Sequence, residues 1–367
     1  MVVVNSENGE NLYKYKFPVI SVIVTAYERR QYILDALISL RNQTMDSGMY
    51  EVIVVKNFID GHIDRKIKEF GYMDIIAEGT MGDRLACGIE YSRGHIICFL
   101  QDDDLFESGK LETVRRLFTH HEDLCFVHNG YRTIDRSGNL VVVNNNLKYG
   151  RDVVFSSEMK LRSMNISFMI KTGWDFNLSC MSIKRCSIYP YLNNLRLIVG
   201  SDDSFVFFTS LFARGSVLHY KEWLTRYRVH NSATIRTGRL DLILMKNSET
   251  FLKQIKTFEL LENMSNNIAI TKVLQEGILA RRATVNIVAY DQFKMKWSIK
   301  DMLKLLVNHN TLRMSYLIKL IFANTIIILN RNIGRKLYYQ YTNNKYAPLF
   351  TGSSKEAQKS EEKNFGI

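Results

Sequence analysis

Hydrophobic and polar positions alternate along the first third of the chain in blocks that predict strands followed by helices. The runs PVISVIVTAY and HIICFLQ are short, apolar and rich in β-branched residues, which is typical of buried strands. The segment QYILDALISLRNQ repeats its apolar residues at helical spacing. Further strands are predicted in EVIVV, MDIIA and DLCFVHN, and further helices in HIDRKIKEF, GDRLACGIEYSRG and SGKLETVRRLFTHH. Connections this short predict an α/β fold: a mostly parallel sheet, right-handed in its crossovers, with helices on both faces.

Beyond about residue 131 the alternation loosens, and from Leu240 the pattern becomes helical. The predicted organisation is an N-terminal extension, an α/β domain in two halves, a helical region and a polar tail expected to be disordered. The corresponding ranges are 1–17, 18–238 (halves 18–130 and 131–238), 239–350 and 351–367.

The helical region carries an unusual charge pattern. From Met302 to Lys355 it has eight Lys or Arg residues and no Asp or Glu. Its most apolar stretch is interrupted by Lys319 and Asn324, which makes it too short and too polar for a membrane-spanning helix. Two interpretations stay open: a helix that packs in a core, or an interfacial helix on an anionic membrane.

The amino-acid composition favours anionic binding partners but does not distinguish between the classes of such partners. The 49 Lys and Arg residues exceed the 37 Asp and Glu residues, for a net charge of +12, which favours nucleic acid, an anionic membrane or phosphorylated substrates. The five cysteines have neither disulfide-framework nor zinc-site spacing. The N-terminal segment lacks the pattern of a signal peptide, so the chain is predicted to be intracellular.

Three consecutive aspartates, Asp102, Asp103 and Asp104, follow the strand HIICFLQ. In parallel α/β sheets ligands bind at the carboxyl ends of the strands. Adjacent like charges repel, so a positive group is expected there. A divalent cation held by Asp102 and Asp104 suits the chemistry, because Mg²⁺ and Mn²⁺ prefer carboxylate and phosphate oxygens. A Lys/Arg cluster and a solvated acidic turn are the alternatives.

Two later clusters are also candidates. Asp202 and Asp203 precede the aromatic run SFVFF, where a carboxylate with a raised pKa can act as a general base; a helix N-cap is the alternative interpretation. His230 lies near Arg226 and Arg228, which favours phosphate contact or metal ligation, although a lone histidine is more often structural.

A possible acceptor platform occurs in WDFNLSCMSI. The large aromatic ring of Trp174 and the amide of Asn177 lie three positions apart in this segment. A surface that stacks on a sugar and hydrogen-bonds to it would combine these two groups. A core tryptophan explains the same residues equally well.

Taken together, the segments PVISVIVTAYERRQYILDALISLRNQT, EVIVVKN, GIEYSRGHIICFLQDDDLF, SDDSFVFF and YRVHNSAT resemble family 2 glycosyltransferases of GT-A fold, over Pro18 to Ile235. The resemblance implies sugar transfer from a nucleotide-diphosphate donor, usually with inversion, with 18–130 as the donor half and 131–238 as the acceptor half. It implies donor contacts from Thr25, Ala26, Tyr27, Glu28, Asp102 and Asp103, a Mn²⁺ or Mg²⁺ ion held by Asp104, Asp102 and His230, and a catalytic base at Asp203 with Asp202 as alternate.

Two departures from the family pattern leave the nucleotide base open. Lys56 and Asn57 stand where the family usually has an acidic pair, and only the amide of Asn57 can accept a bond from a base. Asp83 and Arg84 replace the usual arginine–asparagine pair and are expected as donor contacts.

Two other functions are alternatives to glycosyl transfer. A nucleotidyltransferase acting on a sugar phosphate would carry a glycine-rich basic loop after the first strand, and TAYERR has no glycine. A basic nucleic-acid-binding protein would need a basic stripe interleaved with exposed aromatic residues. The basic excess of this chain is instead concentrated in apolar C-terminal helices, so no nucleic acid is expected. The expected acceptor is a sugar, polysaccharide or lipid-linked sugar, reached from the cytoplasm, with a peripheral membrane contact through 302–355 as an option.

Overall fold

The computed structural model describes residues 18–141, 150–230, 240–293, 297–307, 312, 314–330 and 333. The predicted N-terminal extension and tail lie outside these residues. The chain divides into two compact units: the first is Met1–His230 with Lys256–Gln275, and the second is Asn231–Ile255 with Glu276–Ile367.

The described residues contain a nine-stranded sheet. Its strands are β1 (Ile20–Ala26), β2 (Tyr50–Lys56), β3 (Met73–Ile76), β4 (Ile96–Gln101), β5 (Leu105–Phe106), β6 (Leu124–Ile134), β7 (Val153–Phe155), β8 (Met181–Lys184) and β9 (Ser216–Arg228). Their order across the sheet is β3-β2-β1-β4-β8-β6-β9-β5, with β7 also paired to β9.

The helices that the structure describes are of two kinds, those that cover the sheet and a longer C-terminal series. They are α1 (Ile33–Arg41), α2 (Gly61–Glu69), α3 (Met81–Tyr91), α4 (Lys110–His120), α5 (Ser163–Lys171), α6 (Arg185–Ile188), α7 (Leu192–Leu195), α8 (Asp202–Phe212), α9 (Leu240–Met264), α10 (Ile268–Phe293), α11 (Ile299–Val307) and α12 (Met314–Leu329).

The N-terminal half of the sheet is parallel, as the alternation of strands and helices predicts. β1 pairs in parallel with both β2 and β4, and β2 pairs in parallel with β3. All seven residues of β1 are buried, because helices cover both faces of the strand. On one face, Val22 and Val24 of β1 belong to the same apolar cluster as Leu37 and Leu40 of α1.

The second half of the sheet is mixed. β8 runs antiparallel to both β4 and β6, while β9 is parallel to β6 and antiparallel to β5 and β7. The chain therefore leaves β4, turns through the three aspartates and returns in β5 to pair with β9. This places the aspartate turn at the carboxyl edge of β1, β2 and β4, with β9 beside it.

The second unit has an apolar core of its own, built from α10, α11 and α12. Leu317, Leu320 and Ile327 of α12 are buried in it, so one face of the basic segment packs in a core as one interpretation proposed. The polar interruption Asn324 is buried too, and its side chain accepts a hydrogen bond of 2.9 Å from Asn286. Within the described residues, no helix combines the length and the apolar character that crossing a membrane requires.

Candidate active site

The loops that follow β1 and β2 are joined at the edge of the sheet. Glu28 has a left-handed backbone, with φ of 55°, and its N–H donates a hydrogen bond of 2.8 Å to Asn57 Oδ1. Non-glycine residues adopt this conformation rarely, and here a partner from the next loop stabilises it. Because of this turn, the following residue, Arg29, faces the aspartates. Tyr27, just before the turn, keeps half of its surface exposed.

Arg29 contacts two of the three aspartates at once. Its Nε donates to Asp102 Oδ2 at 3.0 Å, its Nη2 contacts Asp102 Oδ1, and its Nη1 lies 2.9 Å from Asp103 Oδ2. The expected positive group beside the aspartates is thus present within the chain. Burial raises the pKa of Asp102 to about 6, and the hydrogen bond from Arg29 opposes this rise.

His230 completes this cluster from the end of β9. Its Nε2 lies 2.7 Å from Asp103 Oδ2 and 2.9 Å from Arg29 Nη1. The imidazole ring also packs against Tyr32, with ring centroids 5.1 Å apart. Residues 201 positions apart in sequence therefore meet at one point of the cleft.

Asp104 has a structural environment that does not suit its predicted role as a metal ligand. The residue is fully buried, and its Oδ1 accepts the backbone N–H of Arg228 at 3.0 Å. Its Oδ2 has no hydrogen-bond partner among the described residues. Burial and the neighbouring Asp103 raise its pKa to about 7. We therefore correct the assignment: Asp104 anchors the turn to β9.

Asp103 and His230 fit a divalent cation better. One carboxylate oxygen and one imidazole nitrogen converge, a donor set that suits Mn²⁺ or Mg²⁺, and the Asp103 side chain keeps 15% of its surface exposed. No three acidic, histidine or cysteine side chains of the described residues form a complete metal site. These ions commonly take one or two protein ligands, while substrate phosphates supply further oxygens.

The two arginines near His230 are engaged elsewhere, which corrects their predicted phosphate contacts. Arg226 forms a bidentate ion pair with Glu107, in which Nε and Nη2 each donate to one carboxylate oxygen at 2.8 Å. Arg228 is buried; its Nε donates to the Asp103 carbonyl at 2.9 Å and its Nη2 donates to Asp35 at 3.0 Å. Both arginines hold β9 against the aspartate turn.

The second acidic pair begins α8. Ser201 turns the chain with a φ of 60°, and Asp203 Oδ1 then accepts the N–H of Ser204 at 2.7 Å. Burial, Asp202 and Asp175 raise the pKa of Asp203 to about 8, in that order of size. Burial raises the pKa of Asp202 as well. The pair thus holds a proton near neutral pH, so the helix-terminus and general-base interpretations are compatible.

Arg84 interacts electrostatically with acids of both acidic clusters. It is buried, its Nη1 donates to the Gly79 carbonyl at 2.9 Å, and its guanidinium lies 4.6 Å from the centre of the Tyr27 ring. Burial lowers the pKa of Arg84. Tyr27 opposes this effect most strongly, and Asp102 opposes it more weakly. Arg84 in turn favours the charged form of Asp202. Arg84 therefore influences acids of both the aspartate turn and the start of α8.

Two of the sequence departures have structural explanations. Lys56 is fully buried and pairs with Asp74 and, at 3.2 Å, with Asp64, so it neutralises acids beneath the cleft. Asp83 forms a capping box with Thr80 at the start of α3. This gives Asp83 a local role that differs from the predicted donor contact.

The predicted acceptor platform is wrong for Trp174. The side chain is fully buried and stacks on His219, with ring centroids 5.5 Å apart, because β7 and β9 enclose it. Asn177 is also buried, with φ of 62°, and its Oδ1 accepts the N–H of Ser179 at 2.8 Å. Asn177 instead supports the acids: its backbone N–H favours the charged form of Asp203 and its side chain favours that of Asp104.

The structure also forms an aromatic group of three residues that the sequence pattern did not reveal. Tyr131, Phe176 and Tyr227 contact one another with ring centroids 5.5–5.9 Å apart, and Phe176 is 36% exposed. Phe176 directly follows Asp175, which influences Asp203. The three rings come from β6, β9 and the segment between α5 and β8, so no local sequence signal links them.

Residues 21–189 match the family described as Glycosyl transferase family 2. This match assigns residues 21–189 to a family 2 glycosyltransferase domain. In Bacillus subtilis, the "Putative glycosyltransferase EpsH" is 27% identical over 235 residues, covering 60% of this chain and 63% of that one. The "Minor teichoic acid biosynthesis protein GgaB" is 28% identical over 122 residues, 31% of this chain. The chain spans 63% and 13% of the lengths of these two relatives.

The family 2 domain also shares its fold with a solved structure. Residues 1–349 of S. aureus TarS, in complex with UDP-GlcNAc, superpose with a TM-score of 0.54 at 12% identity. The match covers 89% of this chain and 92% of that one. The predicted GT-A-type α/β fold with helices at its C-terminal end is confirmed.

Proposed function

We propose that this chain transfers a sugar from a nucleoside-diphosphate donor to an acceptor hydroxyl, with inversion and with the help of a divalent cation. One observation carries the proposal: a carboxylate–imidazole pair lies at the edge of the family 2 sheet, and a buried arginine interacts electrostatically with the aspartate turn there and with the acidic pair that contains an acid whose pKa is raised to about 8. These are Asp103 with His230, Arg84 and Asp203.

The donor would lie along the loops after β1, β2 and β4. Tyr27 offers an exposed ring, held over the Arg84 guanidinium, against which a nucleobase can stack. Thr25 and Ala26 are buried below it and shape the floor of the site. Asp103 and His230 would hold Mn²⁺ or Mg²⁺, which when bound supplies positive charge to the departing diphosphate. A UDP-sugar is the first donor to test, because TarS was solved with UDP-GlcNAc.

Asp203 would act as the base on the acceptor side. Its carboxylate takes the proton of the acceptor hydroxyl while that oxygen forms a bond to the anomeric carbon. The bond from the anomeric carbon to the diphosphate oxygen breaks in the same step, and the nucleoside diphosphate leaves with the bonding electrons. One displacement of this kind inverts the anomeric centre.

The acceptor would approach over the aromatic group of Tyr131, Phe176 and Tyr227, which lies beside Asp175 and the base. Flat apolar rings suit the C–H face of a pyranose. A cell-wall or other polysaccharide acceptor, polymeric or lipid-linked, is in keeping with the teichoic acid role in the name of GgaB.

The second unit offers a surface for a membrane that carries such an acceptor. Opposite their buried faces, α11 and α12 expose apolar side chains, with Lys304 and Lys319 among them. The exposed apolar residues are Leu303, Leu306, Val307, Ile318 and Phe322. This combination fits the anionic cytoplasmic leaflet of a cell membrane.

The first experiment is a thermal-shift screen of UDP, GDP, CDP, dTDP and ADP, each with Mn²⁺, Mg²⁺ or EDTA. A nucleotide present at about 100 times its Kd should add about 2.7 kcal/mol to the free energy of unfolding. We expect UDP to stabilise the protein only with metal, and expect release of UDP from UDP-GlcNAc when acceptor is supplied. If no nucleotide shifts the melting temperature under any condition, the proposed donor site is wrong.

A further inference from the structure

Arg29 holds the position in which a cation would meet Asp103 and His230. One guanidinium nitrogen, Nη1, lies 2.9 Å from both Asp103 Oδ2 and His230 Nε2, the two atoms best placed to ligate a metal. The remaining nitrogens contact both oxygens of Asp102. The Arg29 guanidinium thus pairs with both Asp102 and Asp103, whereas Asp104 is bonded to β9.

Arg29 and a divalent cation cannot share this place. Both are positive, and an ion held by Asp103 and His230 would lie within contact distance of Nη1, where like charges repel strongly. Loading the site therefore requires the guanidinium to move away from Asp103. The side chain has room to do so, since 28% of its surface is exposed and it extends from the loop after β1.

A nucleoside diphosphate supplies the anion that makes this movement favourable. A guanidinium binds phosphate oxygens with two parallel hydrogen bonds, as it binds a carboxylate. When diphosphate enters the cleft, Arg29 can exchange Asp103 for a phosphate oxygen, and Asp103 and His230 are then available to a metal. Without diphosphate the exchange would leave Arg29 with fewer anionic partners.

We propose that Arg29 is a positioning residue that couples the two ligands: it excludes a divalent cation from the empty site and admits it together with the donor diphosphate. The inference rests on the proposed function, because it places metal and diphosphate in the same site. By thermodynamic linkage, nucleotide raises metal affinity by the same factor as metal raises nucleotide affinity.

The test measures Mn²⁺ binding directly, by the loss of the electron paramagnetic resonance signal of free Mn²⁺. Mn²⁺ alone, and Mn²⁺ with saturating UDP, are titrated into the wild type and into Arg29→Gln, which removes the charge. We expect Arg29→Gln to bind Mn²⁺ alone about tenfold more tightly than the wild type, and the enhancement by UDP to fall about tenfold. Arg93→Gln is the matched control: Arg93 pairs with Glu51 at the amino ends of β4 and β2, the edge of the sheet opposite the aspartate turn, so it should behave as wild type.

Mn²⁺ binding in Arg29→Gln that is equal to or weaker than in the wild type overturns the inference, and this comparison needs no nucleotide. Arg29→Lys keeps the charge without the fork and should still exclude Mn²⁺ alone, which provides a second reading if Arg29→Gln melts early. Failure of the proposed function has a different signature: UDP then binds neither protein, with or without metal. Metal-dependent UDP binding with unchanged coupling in Arg29→Gln refutes only the role of Arg29.

Discussion

At the scale of single residues, three adjacent aspartates have three different environments. Asp102 is bonded to Arg29, Asp103 meets His230 at the surface of the cleft, and Asp104 is buried under Arg228. Three identical side chains in a row therefore have three different surroundings, because each one meets its own combination of residues from the loop after β1 and from the end of β9.

Alanine substitutions at Asp104 and Asp103 should separate an anchoring role from the proposed metal-binding role. Asp104→Ala removes the acceptor of a buried N–H, so we expect the free energy of unfolding to fall by about 1–3 kcal/mol. Asp103→Ala, at a partly exposed site, should change it by less than about 1 kcal/mol but abolish metal-dependent stabilisation by UDP. Chemical denaturation and thermal shift with Mn²⁺ and UDP measure both. Loss of UDP binding in Asp104→Ala alone, with normal stability, would restore Asp104 as the metal ligand.

The pH dependence of transfer should report Asp203. A base works only when deprotonated, and with a pKa raised to about 8 its active fraction falls as pH drops below 8. We expect kcat/KM to fall tenfold per pH unit on that side and to level off above it. Asp202→Asn removes a like charge and should move the limb to lower pH, whereas Asp203→Asn should lower kcat by about 10²–10⁴-fold. A pH profile that Asp202→Asn leaves unchanged would contradict this assignment.

At the scale of elements, the segment between α5 and β8 organises the proposed acceptor side. Its left-handed residue Asn177 influences Asp104 through its side chain and Asp203 through its backbone N–H, while Trp174 enters the core and Phe176 stays exposed. A stretch of four residues thus contributes one core side chain, one support for the acids and one ring at the surface. Backbone geometry decides which aromatic residue can meet a ligand.

Phe176→Ala should therefore weaken acceptor binding selectively. Loss of one ring contact is worth about 0.5–1.5 kcal/mol, so the KM for acceptor should rise about two- to tenfold, with the KM for donor unchanged. Trp223→Ala is the control, because Trp223 is 54% exposed but lies outside the aromatic group and packs on Arg132. Steady-state kinetics with each substrate varied distinguish the two; equal effects of both variants on acceptor KM would count against the aromatic group.

At the scale of the whole molecule, the net charge of +12 is unevenly distributed: residues 302–355 carry eight Lys or Arg residues and no Asp or Glu. One face of α12 packs in the core of the second unit, and the opposite face exposes Ile318 and Phe322. The two interpretations of this segment, core helix and membrane helix, describe opposite faces of the same helix.

Vesicle co-sedimentation tests the membrane face. We expect binding to phosphatidylglycerol vesicles, weaker binding to phosphatidylcholine vesicles, and weakening by salt as charges are screened. Ile318→Asp with Phe322→Asp should lower binding about tenfold or more. Leu197→Asp changes a leucine of the first unit that is at least as exposed and should have no effect. Equal binding by all three proteins would show that this face is not the contact.

The sequence by itself determined the order of strands and helices up to β6 except for the two-residue β5, the position of the acidic turn after β4, and the family. These features follow from local periodicity and from residues within one short segment, so they can be read without knowing what lies opposite. The basic character of the C-terminal helices is likewise a property of composition.

Tertiary structure decided which side chains of each motif are available. Asp104 is buried because Arg228, 124 positions away, donates to it, and Arg29 faces the acids because Asn57 stabilises the turn at Glu28. Trp174 is enclosed by strands that the sequence pattern did not predict. Burial and pairing depend on contacts between distant segments, and for this reason chemically identical aspartates could be located but not distinguished from sequence.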